Sequence, residues 1–172
     1  MAEIRTKGFT DKPRNPANSV GKKFRTVPAY ASLLTAAMTN GDILTLAGPL
    51  TFGERIARVF SPNATPALTS ATDTKLGFFM RDQASGALKL IKAGSDALLW
   101  NNQSLAASLS TRDLLASLNT ALNQSLNIGE LLALGADQEP AGGVFLGLTL
   151  QTKPSVNGVL DLEVWIDEAT TN

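Results

Sequence analysis

Two runs near the C-terminus decide how this chain is read: Val144-Phe145-Leu146-Gly147-Leu148-Thr149-Leu150 and Leu160-Asp161-Leu162-Glu163-Val164-Trp165-Ile166-Asp167. In the first, Val144, Leu146, Leu148 and Leu150 alternate with Phe145, Gly147 and Thr149. In the second, Leu160, Leu162, Val164 and Ile166 alternate with Asp161, Glu163, Trp165 and Asp167. Successive side chains of a strand point to opposite faces, so period-two alternation of this length marks strands with one face in a core. Pro154 and Asn157-Gly158 lie between the runs, and Asn-Gly accepts the positive φ of a hairpin turn. The pattern predicts a C-terminal hairpin over residues 142–168. Its second strand is apolar inside and carries three carboxylates and an indole outside. Such a hairpin needs a facing sheet, which the rest of the chain must supply.

Upstream, short strand-like runs alternate with turn signals. Residues 24–38 admit helix or strand, and we read them as extended because strands follow. Asn40-Gly41 precedes a strand at 42–46, Gly48-Pro49 reads as a turn, and 54–60 reads as a strand. Ser61-Pro62 through Pro66 is a loop. Residues 70–81 and 87–92 read as strands separated by a turn at 82–86. Leu114, Leu115, Leu118 and Leu122 form one stripe at helical spacing behind Ser110, a good N-cap, which predicts a helix at 111–124. Residues 128–134 read as a strand or a continuation of that helix. Many short strands with Gly and Pro turns, plus one helix, predict a mainly β protein. The expected fold is an antiparallel β-sandwich or jelly roll with an inserted helix. Residues 1–23 have little apolar content and no period, so they read as an extended basic arm before a single domain at 24–172.

Composition excludes more than it proposes. At 172 residues the chain suits one domain. It has no Cys and no His, so disulfides, thiolate or imidazole metal sites and His-based catalysis are ruled out. Met1-Ala2-Glu3-Ile4-Arg5 lacks the apolar core of a signal peptide, and no apolar run approaches the roughly 18 residues of a membrane span. We therefore expect a product made in the cytoplasm, without a membrane partner. Asp161, Glu163 and Asp167 share one strand face. A calcium site and a two-carboxylate hydrolase are conceivable there, but the close Asn and Gly of a chelating loop are lacking. The expectation is a surface face, with no catalytic residue, no cofactor and no metal. The Gly-rich spots match no phosphate-binding loop and are turns. Trp100-Asn101-Asn102, with Trp165, supports an alternative: a carbohydrate- or receptor-binding module.

Charge is unevenly placed. Residues 1–25 carry seven bases against two acids, net +5, while residues 126–172 carry one base against seven acids, net −6. Seven bases over that length, with Phe9 the only aromatic before Phe24, are too dilute for direct nucleic-acid binding. The natural complement of the arm (Arg5, Lys7, Lys12, Arg14, Lys22, Lys23) is the acidic face of Asp161, Glu163, Trp165 and Asp167. These ten residues are the candidate subunit interface.

Residues 39–56, Thr39-Asn40-Gly41-Asp42-Ile43-Leu44-Thr45-Leu46-Ala47-Gly48-Pro49-Leu50-Thr51-Phe52-Gly53-Glu54-Arg55-Ile56, resemble a recurring phrase in virion proteins of tailed bacteriophages. Thr72-Asp73-Thr74-Lys75-Leu76-Gly77 and Gly158-Val159-Leu160-Asp161-Leu162-Glu163-Val164 continue the resemblance in order as far as residue 167. The predicted helix and the basic arm fall outside the pattern. The resemblance implies a β-sandwich or jelly-roll auxiliary or decoration protein of the capsid, located in the virion. It implies the major capsid protein or copies of itself as partners, in a homo-oligomeric assembly.

Overall fold

The computed structural model describes residues 3–5, 24–61, 71–106, 112–115 and 126–168. The strands are β1 (Glu3–Arg5), β2 (Phe24–Leu33), β3 (Asp42–Leu50), β4 (Arg55–Ser61), β5 (Thr74–Arg81), β6 (Leu88–Leu90), β7 (Trp100–Gln103), β8 (Arg112–Asp113), β9 (Val144–Leu150) and β10 (Gly158–Asp167). A short helix, α1 (Ile128–Leu132), lies before β9. A six-stranded sheet runs β1-β3-β9-β5-β6, with β7 also paired to β5. A four-stranded sheet runs β2-β10-β4-β8. All pairs are antiparallel except β1 on β3, where Glu3, Ile4 and Arg5 run parallel beside Ile43, Leu44 and Thr45. From β2 to β5, and again from β8 to β10, successive strands alternate between the sheets. That is the double-sheet sandwich expected from the sequence.

The core lies between the sheets. Leu160, Leu162, Val164 and Ile166 of β10 are fully buried there against Leu44, Leu46, Leu76, Phe78, Leu146 and Leu148 of the other sheet. Each such side chain contributes about 1.5–3 kcal/mol when buried. β10 shows the alternation the sequence carries: inward residues buried, outward residues half-buried.

The expected hairpin is corrected. β9 and β10 do not pair: β9 lies between β3 and β5, and β10 lies between β2 and β4 in the opposite sheet. Residues 151–157 cross the sandwich instead of turning back. Asn157 is held at the β2 corner, where its Oδ1 accepts from the Thr35 amide (2.9 Å) and hydroxyl (3.0 Å). Lys153 Nζ donates to the Thr35 and Met38 carbonyls at the same corner. β9 also differs from a half-buried strand, since all seven of its residues are buried. On its outer face Phe145 packs with Ile43 and Phe79 in a second small cluster. Gly147 lets that cluster close: a Cβ there would meet Phe79 and Ile43 side chains within 2.8 Å.

Three further expectations change. Gly48-Pro49 is a cis peptide inside β3, where the pairing with β9 shifts register, rather than a turn between strands. Residues 128–132 are helical because Asn127 and Glu130 form a reciprocal capping box: each side chain accepts the other's backbone N–H (both 2.8 Å). Of the predicted helix at 111–124, Arg112–Asp113 is a strand beside Phe60 and Ser61. Leu114 and Leu115 are helical and buried, and the remainder lies outside the described residues. The expected turn at 82–86 is present. Asp82 accepts from the Ser85 amide, Lys89 Nζ, the Ser85 hydroxyl and the Ala84 amide. These donors, the Ser85 amide foremost, hold its carboxyl well below the usual carboxylate range.

Candidate interaction surfaces

The outer face of the four-stranded sheet collects residues from three strands. Across β10, Asp161 stands opposite Tyr30, Glu163 opposite Pro28 and Trp165 opposite Thr26 on β2. On the other side Glu163 stands opposite Phe60, Trp165 opposite Arg58 and Asp167 opposite Arg55 on β4. The exposed Arg58 guanidinium lies over the Trp165 ring at 5.5 Å from its centroid, a cation–π contact. Trp165 Nε1 donates to Glu163 Oε2 (3.3 Å). Arg55 donates to Asp167 Oδ2 at 2.5 Å. The result is a half-buried centre of Trp165, Tyr30 and Phe60 with Pro28 and Arg58 exposed beside it. Aromatic and Arg side chains at the centre of a polar patch are typical of protein contacts.

Asp161, Glu163, Trp165 and Asp167 are thus brought together as the sequence placed them. The cations that meet Asp167 and Trp165 come from β4, a source the sequence reading did not name. The carboxylates run along one strand, and among the described residues no three acids converge as a metal site would require. Arg5 lies in β1 beside Thr45, on the other sheet. Lys7, Lys12, Arg14, Lys22 and Lys23 lie outside the described residues. Trp100 is only 3% exposed and donates from Nε1 to Thr74 Oγ1 (3.3 Å). Its ring therefore offers no open face for stacking on a sugar, which removes the centre of the carbohydrate-site alternative.

A second surface has no counterpart in the sequence reading. The turn from β3 to β4 and helix α1 enclose an open groove of about 490 Å³, lined by Phe52, Gly129, Glu130, Leu134, Gly135 and neighbouring small residues. The first amides of a helix lack intrahelical partners. Here the Ile128 amide donates to the Glu54 carbonyl and the Gly129 amide to the Phe52 carbonyl, both at 2.9 Å, which docks α1 on the turn. Gly129 permits the approach, because a Cβ there would already be 3.1 Å from the Phe52 Cβ. Ala133 ends the helix in the left-handed conformation (φ 49°), and Lys92 Nζ donates to the Leu132 carbonyl. The rim is acidic. Glu130 lines the groove, the Asp137 carboxylate folds back over Gly135, and Glu139 Oε2 accepts the Phe52 amide (3.2 Å). None of these three carboxylates forms an ion pair among the described residues. The signals were the capping box Asn127-x-x-Glu130 and the acids without bases that follow it. The groove itself joins residues 52–53 to 127–136, which no local pattern reveals.

No protein-family model matches this chain, and no curated protein matches it in sequence. In structure it is similar to a chain of the solved capsid of Ralstonia phage GP4, with a TM-score of 0.61 and 12% identity. The similarity covers 99% of this chain and 100% of that one. At this identity the likeness is one of fold. It extends over the sandwich as a whole and agrees with the resemblance to phage virion sandwiches carried by residues 39–167. Among the described residues, no helix is long and apolar enough to cross a membrane.

Proposed function

We propose that this chain is a non-enzymatic structural protein of a phage particle, an auxiliary or decoration protein that strengthens the head through contacts between subunits. The observation that carries this reading is the end-to-end likeness to a capsid chain. The Trp165-centred face supplies a contact surface, and the basic arm supplies a tie between copies. The partners are the major capsid protein and further copies of this chain. Each contact is modest, and repetition around a closed shell makes the sum strong.

The test is reconstitution. Purified chain is added to particles lacking it, which are then pelleted, and bound chain is measured against the shell subunit. Saturation at a fixed ratio is the expected outcome. An amount that rises without a plateau, or no binding, rejects the proposal. In the same assay Trp165→Ala should reduce occupancy at least tenfold while the folded signal in circular dichroism is kept. A truncated indole at an interface centre costs about 2 kcal/mol or more. Wild-type occupancy by this variant would remove the sheet face from the interface. Deleting residues 1–23 takes β1 off the edge of β3 but leaves the inter-sheet core whole. The shortened chain should fold and bind particles weakly. Equal binding by the full and shortened chains would discard the arm.

A further inference from the structure

The acidic groove and the basic segment before β2 are complementary in charge. Residues 6–23 carry Lys7, Lys12, Arg14, Lys22 and Lys23 against one acid, Asp11, a net +4. The groove is lined by the apolar Phe52 and Leu134 and by Glu130, and the Asp137 and Glu139 carboxylates lie against its lining residues Gly135 and Phe52. Nearby cations are already committed, Arg25 to Glu54 and Lys92 to the Leu132 carbonyl. By contrast, the carboxylate of Asp167 on the sheet face already has Arg55. Phe9 is the one aromatic of the segment and suits the apolar lining. Pro13 and Pro16 favour an extended run that can lie along an open groove.

The ends of the segment are fixed. Arg5 pairs beside Thr45, and the chain returns at Phe24 beside Asp167. Arg25 then binds Glu54 (2.6 Å), two residues from the groove residue Phe52. Eighteen residues tethered at both ends reach about 30 Å outward, enough to cross to an adjacent molecule.

We infer that the groove is the seat for residues 6–23 of a second copy of this chain, giving a head-to-tail tie between neighbours. This rests on the reading of the chain as an assembly protein and names the partner of its arm. A heterologous contact of this kind propagates around a ring or along a lattice, as a shell-bound protein requires. The contact is electrostatic at its rim and weakens as salt rises.

The absence of cysteine makes the test clean. Full-length chains carrying Lys12→Cys are mixed with chains carrying Asp137→Cys and oxidised mildly. Disulfide-linked dimers should form at least tenfold faster than when Lys12→Cys is mixed with Val156→Cys. Val156 is 59% exposed and lies in the crossover at the opposite end of the sandwich from the groove. Added salt and the rim variant Glu130→Gln should slow the reaction. A rate no higher than the control overturns the inference. So does preferential closure within one molecule when Lys12→Cys and Asp137→Cys share a chain, because the groove then takes its own segment. Particle binding is scored separately. A chain that cross-links in this register but never saturates particles rejects the decoration role and keeps the arm contact. Saturable particle binding without the cross-link does the reverse.

Discussion

Gly77→Ala should destabilise the protein by about 3 kcal/mol, lowering its melting temperature by about 10 °C. Gly77 sits in β5 directly opposite Gly147 of β9, on the outer face of the six-stranded sheet. The turn at Ser95–Ala97 lies down on it. A Cβ at residue 77 would fall on the Ser95 carbonyl oxygen and the Asp96 backbone, with the Asp96 carbonyl oxygen at 2.7 Å. These are backbone atoms and no rotamer change relieves the overlap. Moving the turn is expensive, because it is bonded at several points. The Ser95 amide donates to the Lys92 carbonyl (3.1 Å), Ser95 Oγ accepts the Ile91 amide (3.2 Å), and the Leu99 amide donates to the Leu76 carbonyl (3.0 Å). Lys75 Nζ adds a contact to Asp96 at 3.4 Å. Gly142→Ala is the control, since a Cβ there meets nothing within 4 Å and no positive φ is recorded for it. Thermal melts of both variants check the claim. Equal melting temperatures would mean the turn yields freely.

This site also shows what a sequence can and cannot state. The alternation of β10 was legible because one of its faces meets the core and the other meets polar neighbours. The core-facing residues Leu160, Leu162, Val164 and Ile166 followed from it directly. Pairing was not legible. Period two says which way a side chain points and is silent on which strand lies alongside. Asn157-Gly158, which by residue type suits a hairpin turn, serves a crossover anchored on Thr35. A sign of the difference lay in β9 itself. Phe145, Gly147 and Thr149 are poor residues for a solvated face, and they face a second apolar layer. Gly77 and Gly147 are unremarkable in sequence and gain meaning only when the sheet sets them side by side. The Trp165 face was legible because its residues share one strand. Arg55 and Arg58 were not, because they lie more than a hundred positions earlier. The groove was not legible for the same reason: its two walls, at Phe52 and at α1, are joined by backbone hydrogen bonds that residue type does not encode.

Glu54→Ala should cost about 2 kcal/mol in stability and should also loosen the groove. Glu54 is 7% exposed and joins three elements. Its Oε2 accepts from the Thr51 amide (2.6 Å) and hydroxyl (3.3 Å), closing the turn between β3 and β4. Its Oε1 binds Arg25 of β2 at 2.6 Å. Its carbonyl accepts the Ile128 amide at the start of α1. Removing one member of a buried ion pair costs roughly 3–5 kcal/mol, because the other charge is stranded. The Arg25 side chain here is 23% exposed, so solvent takes up part of that cost. Arg25 Nε already lacks a partner among the described residues, so the guanidinium depends on Glu54 for its bonded contact. Glu54→Gln keeps an acceptor for Thr51 and loses the charge toward Arg25, so it should fall between wild type and Glu54→Ala. Denaturant melts of Arg25→Ala, Glu54→Ala and the double variant form a cycle. The double variant should lose less than the sum of the singles by about 1 kcal/mol. Strict additivity would show that the two side chains act independently. The same substitution reaches function through Phe52, which the Thr51–Glu54 turn holds against Gly129. Below its melting temperature, Glu54→Ala should slow the Lys12→Cys to Asp137→Cys cross-link between chains. Gly77→Ala is at least as destabilised but lies on another face, and should leave that cross-link unchanged. The contrast separates a groove that must be held in shape from a domain that is merely less stable.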